Sequence, residues 1–176
     1  MAKVERGGFK RAQNRRPDGV FCRIAAGEAP ASTVFEDDRA LAFMDINPVR
    51  RGHVLVIPKA HRPHIWDMSD AEFAAVYRTL PTLVRALARA TGAEAVDVLN
   101  LNGRAGGQTV YHIHFHLIPI NGHRSPVRRE GRRIALEFVQ RSAPRAQLER
   151  IARRIRRHLS DDRPTGITSP RRAPSI

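Results

Sequence analysis

Residues 20–121 predict one domain that mixes short strands with a long amphipathic helix, set between two basic arms. Three features carry this. Short apolar runs bounded by turn residues recur at 34–36, 40–44, 53–57, 96–100 and 112–117, which is strand patterning. Ser69-Asp-Ala-Glu72 is a capping box that opens a stretch with helical apolar spacing. The net charge of +14 is unevenly placed: six basic against two acidic residues in 1–19, ten against ten in 20–121, fifteen against five in 122–176. The excess therefore lies outside the patterned segment, and a hydrophobic share of 41% agrees with non-globular ends.

Residues 1–19 place Gly7-Gly8, Asn14 and Pro17 among basic side chains without apolar period, and predict a mobile arm. Phe21 and Ile24 stand at i, i+3, so 20–28 predicts a short helix or turn, closed by Pro30. Val34-Phe35-Glu36 and Ala40 to Met44 predict a hairpin around Asp37-Asp38. Asp45-Ile46-Asn47-Pro48 turns the chain, and His53-Val-Leu-Val-Ile57 reads as a central strand ended by Pro58. After the capping box, Phe73, Val76, Tyr77, Leu80, Leu83, Val84 and Leu87 predict one helix kinked at Pro81 and capped by Gly92. Val96 to Asn100 predicts a strand, and a glycine-rich loop, 102–107, leads on to the histidines. Residues 134–140 fit a strand or a helix. Residues 145–159 predict an amphipathic helix docked on the domain within a basic extension, 122–160, and 161–176 predicts a disordered tail.

The longest apolar runs are too short to span a bilayer, and the first residues lack an apolar leader core, so no membrane role is expected. Cys22 is the sole cysteine, which excludes an internal disulfide and fits a cytoplasmic setting. The basic arms allow nonspecific contact with nucleic acid, or serve only as solvated extensions.

His112-Ile-His114-Phe-His116 is the stretch with chemistry. On a strand the three histidines share one face, with Ile113, Phe115 and Leu117 facing a core. Three readings compete. A metal site is one, although three same-face positions span about 13 Å. Structural histidines bridging polar groups are another. The third is nucleophilic attack by a neutral imidazole on phosphorus, which needs one ring nitrogen bare and the other donating. Gly103, Gly106 and Gly107 upstream allow close backbone approach to an anion, and Gln108 and Thr109 add donors.

This stretch, with Phe21-Cys-Arg-Ile24, Val34-Phe-Glu-Asp-Asp, Leu41-Ala-Phe-Met-Asp45-Ile-Asn-Pro48, Gly52-His53-Val-Leu-Val-Ile-Pro-Lys59 and Gly106-Gly-Gln-Thr-Val-Tyr, resembles the histidine triad (HIT) family, and its Hint branch most. The resemblance covers about residues 20–120. It implies an α+β domain with a mostly antiparallel sheet of about five strands, and a homodimer with the two sheets side by side. It implies that His114 attacks the α-phosphorus of a purine nucleoside 5′-phosphoryl compound, and that water later releases the nucleoside monophosphate. His112 and His116 would orient the nucleophile and bind phosphate oxygens. Gln108 and Thr109 match positions near the phosphate and leaving group. Asp45 matches the carboxylate on the ribose hydroxyls, Phe21, Ile24, Phe43 and Ile46 match the base pocket, and His53 matches a histidine near the site.

Two positions depart from relatives. Where some members carry Cys-x-x-Cys for structural zinc, this chain has Gly19 and Cys22, so neither metal nor other cofactor is expected. Counted back from the triad, the phosphate-binding Asn of Hint proteins falls on Leu101, with Asn102 the expected substitute and Asn100 the other candidate. His61 and His64 are expected in a surface loop without a role. The resulting expectation is a nucleoside phosphoramidate hydrolase working through a nucleotidyl-histidine. A dinucleoside polyphosphate hydrolase, and a non-enzymatic nucleic-acid-binding or adaptor protein using the basic arms, are the alternatives.

Overall fold

A computed structural model describes residues 19–122, the backbone of 127–130 and 133–136, and residues 142–161. Of the predicted arm at 1–19 and the predicted tail at 161–176, residues 1–18 and 162–176 lie outside the described residues, as does 137–140, while residue 161 ends a helix. The elements are α1 (Val20–Ala25), β1 (Thr33–Glu36), β2 (Ala40–Met44), β3 (Val54–Pro58), α2 (Asp70–Tyr77), α3 (Leu80–Thr91), β4 (Ala95–Asn100), β5 (Phe115–Ile120), β6 (Val127–Glu130), β7 (Arg133–Leu136) and α4 (Arg145–Asp161). The first five strands form one antiparallel sheet, ordered β1-β2-β3-β5-β4. This is the expected α+β arrangement. β6 and β7 pair as a separate antiparallel ribbon, in which 134–136 of the stretch 134–140, read as a strand or a helix, is a strand, while β6 has too few apolar residues to be predicted.

The sheet has two unequal faces. Met44, Val54, Val56, Phe115 and Leu117 face the larger core, where Leu83 and Leu87 of α3 meet Ile151 and Ile155 of α4. The alternate residues Leu41, Phe43, Leu55 and Ile57 face a smaller cluster that Phe21 of α1 completes. Covering on both sides explains why β2 and β3 are buried at every position and read as continuous apolar runs. α4 is the predicted amphipathic helix, with Leu148, Ile151, Ala152 and Ile155 buried in the same core as the sheet. Ahead of it, Ala143 N–H donates to the Ile46 carbonyl at 2.9 Å and Ser142 Oγ donates to Asn47 Oδ1 at 3.0 Å, so the extension grips the turn after β2. No helix among the described residues is long and apolar enough to cross a membrane.

Two expectations are corrected. The helix after Ser69 is two helices, not one kinked helix: Pro81 lies in the first turn of α3, where its missing N–H costs nothing, and α2 stops at Tyr77 because the proline ring would crowd that carbonyl. The histidine strand starts late, since the ladder begins at Phe115 and holds only His116. His112 and His114 lie on the segment before it. The alternation survives even so, with Ile113, Phe115 and Leu117 in the larger core and His114 against Phe21 on the other side.

Gly52 sets the entry to β3. Its φ is +102°, and a Cβ there would lie 2.8 Å from Thr91 Cγ2 and 3.0 Å from Pro119 Cγ. Gly52→Ala is expected to cost about 1–3 kcal/mol through backbone strain and this clash. The measurement is the urea midpoint; an unmoved midpoint would show that the turn relaxes freely.

Candidate active site

The three triad histidines are 1–4% exposed, yet each ring has a different partner. His114 Nδ1 lies 2.7 Å from the His112 carbonyl. A carbonyl only accepts, so Nδ1 carries the proton and Nε2 is the bare nitrogen of a neutral ring. Burial keeps the ring neutral by holding its pKa below the usual 6.5, although the Asp45 carboxylate and the bond to His112 pull the other way. The chain around it is held still: Asn100 Nδ2 donates to the His114 carbonyl at 2.8 Å, and Ile113 N–H donates to the Arg62 carbonyl at 2.6 Å. Phe21 meets the His114 ring edge-on at 5.2 Å between centroids.

His116 is backed by His53, whose Nε2 is 2.9 Å from His116 Nδ1. Val49 N–H donates to His53 Nδ1 at 3.3 Å, so that nitrogen accepts and the proton of the neutral ring sits on Nε2. His53 Nε2–H then donates to His116 Nδ1, which leaves the proton of the neutral His116 ring on its own Nε2. The Asp45 carboxylate lies 3.2 Å from His53 Nδ1. Burial lowers His53 to about 3 and His116 well below the usual histidine range, so both rings are neutral. Burial raises Asp45, against a bond from Asn47 N–H and the nearby His114, both of which lower it.

A cavity of about 350 Å³ opens beside these groups on the α1 side of the sheet. Its walls take Phe21, Ile24, Phe43 and Ile46, the four predicted base-pocket residues, together with Asp45, Thr109, His114 and His116. Ile46 is 62% exposed at the rim, which leaves apolar surface for a ligand to cover. Sequence patterning gave no reason to pick out Val20, Pro30, Ala31, Leu55 and Val110, which also line it. Ordinary apolar residues acquire that role only when the sheet and α1 close over them.

Four predicted residues do not line the cavity. His53 acts behind His116. Gln108 is 3% exposed and its amide is spent in the loop: Oε1 accepts from Gly103 N–H at 2.7 Å, and Nε2 donates to the Pro63 and Val110 carbonyls at 2.6 and 2.9 Å. It shapes the loop rather than offering a donor to phosphate. Asn102 is likewise occupied, accepting from Ile65 N–H at 2.8 Å and donating to Asn100 Oδ1. Leu101 takes the place at the cavity instead. His112 turns away too: its Nε2 donates to the Pro58 carbonyl at 2.8 Å, so it acts on His114 through its backbone carbonyl.

A model of the HIT domain matches residues 26–123. The chain belongs to the HIT domain family. Among curated members, this HIT chain is 40% identical over 102 residues to adenylylsulfatase HINT3 of Arabidopsis thaliana, covering 58% of the chain but about half, 52%, of that protein. It is 43% identical over 100 residues to adenosine 5′-monophosphoramidase hnt1 of Schizosaccharomyces pombe, covering 57% and 72%. Among solved structures, a Hit-like protein of Bartonella henselae superposes with a TM-score of 0.68 at 33% identity, covering 82% of this chain and 98% of that one. A zinc-bound histidine triad protein of Mycobacterium smegmatis gives 0.65 at 32% identity, covering 82% and 94%.

The HIT fold of this chain also gathers a group that the lone cysteine did not suggest. Cys22 Sγ lies 3.2 Å from His61 Nδ1 and 3.3 Å from His112 Nδ1. The three ligand atoms sit within 4.8 Å of one another. The bond from His112 Nε2–H to the Pro58 carbonyl leaves Nδ1 with its lone pair toward the cysteine, and a metal-binding histidine is held in the same way by the bond its other nitrogen makes. Two imidazoles and a thiolate fit zinc as three of four tetrahedral ligands; Gly19 offers no fourth side chain, so water would complete the set. Such an ion would clamp α1 to the segment bearing His114. The expectation of no metal rested on counting cysteines, and His61, assigned to a loop without a role, was missed because only folding brings it to Cys22. Zinc is expected to raise the melting temperature of the intact protein and to leave that of Cys22→Ser unchanged, with equal shifts in both excluding this cluster.

Proposed function

We propose that this chain hydrolyses nucleoside 5′-phosphoramidates, or closely related nucleotidyl compounds, through a covalent nucleotidyl-histidine. The observation that carries the reading is the 2.7 Å bond from His114 Nδ1–H to the His112 carbonyl, which fixes the tautomer with Nε2 bare at the cavity. A purine base lies between Phe21, Ile24, Phe43 and Ile46, and the Asp45 carboxylate accepts from the ribose hydroxyls. The α-phosphorus then stands before His114. Nε2 forms a bond to phosphorus as the bond to the leaving nitrogen breaks, and the leaving amine departs with a proton from solvent or Thr109. Nδ1 of the resulting imidazolium keeps its proton on the His112 carbonyl, which spreads the new positive charge. Water then attacks phosphorus, the P–N bond breaks, and the nucleoside monophosphate leaves with His114 restored. His116 lines the same cavity, and its Nε2–H serves as a donor to a phosphate oxygen. The names of the phosphoramidase and adenylylsulfatase relatives support this substrate class. A homodimer would use β4, an edge strand of the sheet on which Val98 is 44% exposed.

The test uses adenosine 5′-phosphoramidate and its chiral phosphorothioate. Two in-line displacements give net retention at phosphorus, and acid-free quenching gives an adenylyl group on the peptide holding His114. Net inversion, or the adduct on another residue, would refute the mechanism. Comparison with a diadenosine polyphosphate ranks the leaving groups.

A further inference from the structure

Helix α4 buries Leu148, Ile151, Ala152 and Ile155 on one side. Arg150, Arg153, Arg154 and Arg157 fall on the opposite side, and all are exposed. At i, i+3, i+4 and i+7 they make one stripe, about 10 Å long at 1.5 Å per residue. Beside it, Arg150 and Arg154 meet Arg51, from the turn before β3, around a cavity of about 170 Å³ that Thr91 and Asn121 help to close. Three guanidinium groups around one small cavity repel one another. Among the described residues none of the three guanidinium groups has a hydrogen-bond or ion-pair partner, whereas Arg156 on the same helix is paired with Glu149 at 2.6 Å. Asn121 is also available, since its Nδ2 reaches the Thr91 carbonyl only at 3.5 Å.

The missing counter-charge has a shape. Guanidinium forks take phosphate oxygens two at a time, and the cavity has room for one phosphate group. A lone phosphate would leave Arg153 and Arg157 unmatched; a linear polyanion would meet them in turn. An acidic protein surface would normally want apolar or aromatic anchors beside the charges, and a membrane surface would want an apolar face to insert. The large exposed apolar residues of the described chain are Val20, Ile46, Tyr77, Val98 and Tyr111, none of them on α4. We propose that Arg51, Arg150 and Arg154 seat one backbone phosphate of single-stranded nucleic acid, and that the strand continues along Arg153 and Arg157. The surface lies on the helical side of the sheet, away from the nucleotide cavity, and α4 lies outside the family-matched stretch 26–123. It is therefore independent of the hydrolytic reading.

The experiment is fluorescence anisotropy of the full chain with a labelled single-stranded oligonucleotide of mixed sequence across a salt series. The triple variant R51Q/R150Q/R154Q is expected to bind at least tenfold more weakly. Its slope of log K against log salt should be shallower by about 0.7, the contribution of the one single-strand phosphate contact that is lost. R78Q/R85Q/R89Q removes equal charge from α2–α3 and should change the slope much less. Melting temperature and phosphoramidate hydrolysis, unchanged in the triple variant, show that it is folded; if it is not, Arg154→Gln alone should remove about a third of the effect. Unchanged slope, equal loss in the α2–α3 variant, or loss confined to phosphatidylglycerol vesicles would each overturn the proposal.

Discussion

Replacing His114 by alanine is expected to remove phosphoramidate turnover, by about 10⁴-fold or more, while nucleoside monophosphate affinity stays within severalfold. The asymmetry follows from where the two tasks sit. Apolar contact is supplied by Phe21, Ile24, Phe43 and Ile46, and ribose recognition is assigned to Asp45; none of these depends on the imidazole. The covalent step depends on it entirely. Alanine also leaves a gap beside Phe21, whose ring lies 5.2 Å from that of His114, so His114→Asn is the companion variant. Its Nδ2 can still donate to the His112 carbonyl, but it offers no nucleophile. Titration calorimetry with the monophosphate and single-turnover hydrolysis should give near-normal binding and no burst in both variants. A burst of normal size in either one would remove His114 from the reaction.

The second large effect is acid lability. An unfolded histidine binds its proton near pH 6.5, whereas burial lowers His53 to about 3 and His112 to about 4 in the folded chain. Between those limits the unfolded chain holds more protons, so stability falls as the pH drops below 6.5 and is recovered above it. Each such ring costs up to about 1.4 kcal/mol per pH unit, which makes roughly 4 kcal/mol for these two by pH 5. His114 and His116 are lowered as well and add to the slope. Total stabilities of about 5–15 kcal/mol leave little margin for that loss. Urea midpoints at pH 7.5 and pH 5, measured with a chelator present to exclude metal competition at His112, should differ by more than half their value. Equal midpoints would show that these rings reach solvent or protonate without penalty.

Most of the frame was legible because it rests on local signals. The hairpin turn at Asp37-Asp38, the capping box at Ser69 and the apolar runs of β2 and β3 each specify their own geometry. The base pocket and Asp45 were legible through family resemblance, and the cavity brings them to His114 and His116. What failed was the inference from residue type to side-chain direction. Gln108 and Asn102 are polar residues beside an expected phosphate, yet buried backbone groups of the loop claim their amides first. An unpaired buried N–H or carbonyl costs more than a solvent-facing amide gains, so the loop wins. His112 and His116 looked equivalent by spacing, but the ladder that starts at Phe115 aims one at Cys22 and His61 and the other at His53. Such long-range pairings, 39 to 90 residues apart, leave no periodic trace in the chain.

The grip of Ser142 and Ala143 on Asn47 and Ile46 bears on how the protein is made. The turn that carries Asp45 and Ile46 emerges early from the ribosome, but its anchor lies about a hundred residues later, with α4 behind it. Until that last part is synthesised, the larger core lacks Ile151 and Ile155 and one wall of the nucleotide site is untethered. A nascent chain halted just after the histidine triad would hold every candidate reacting group while the turn bearing Asp45 and Ile46 still lacked its tether.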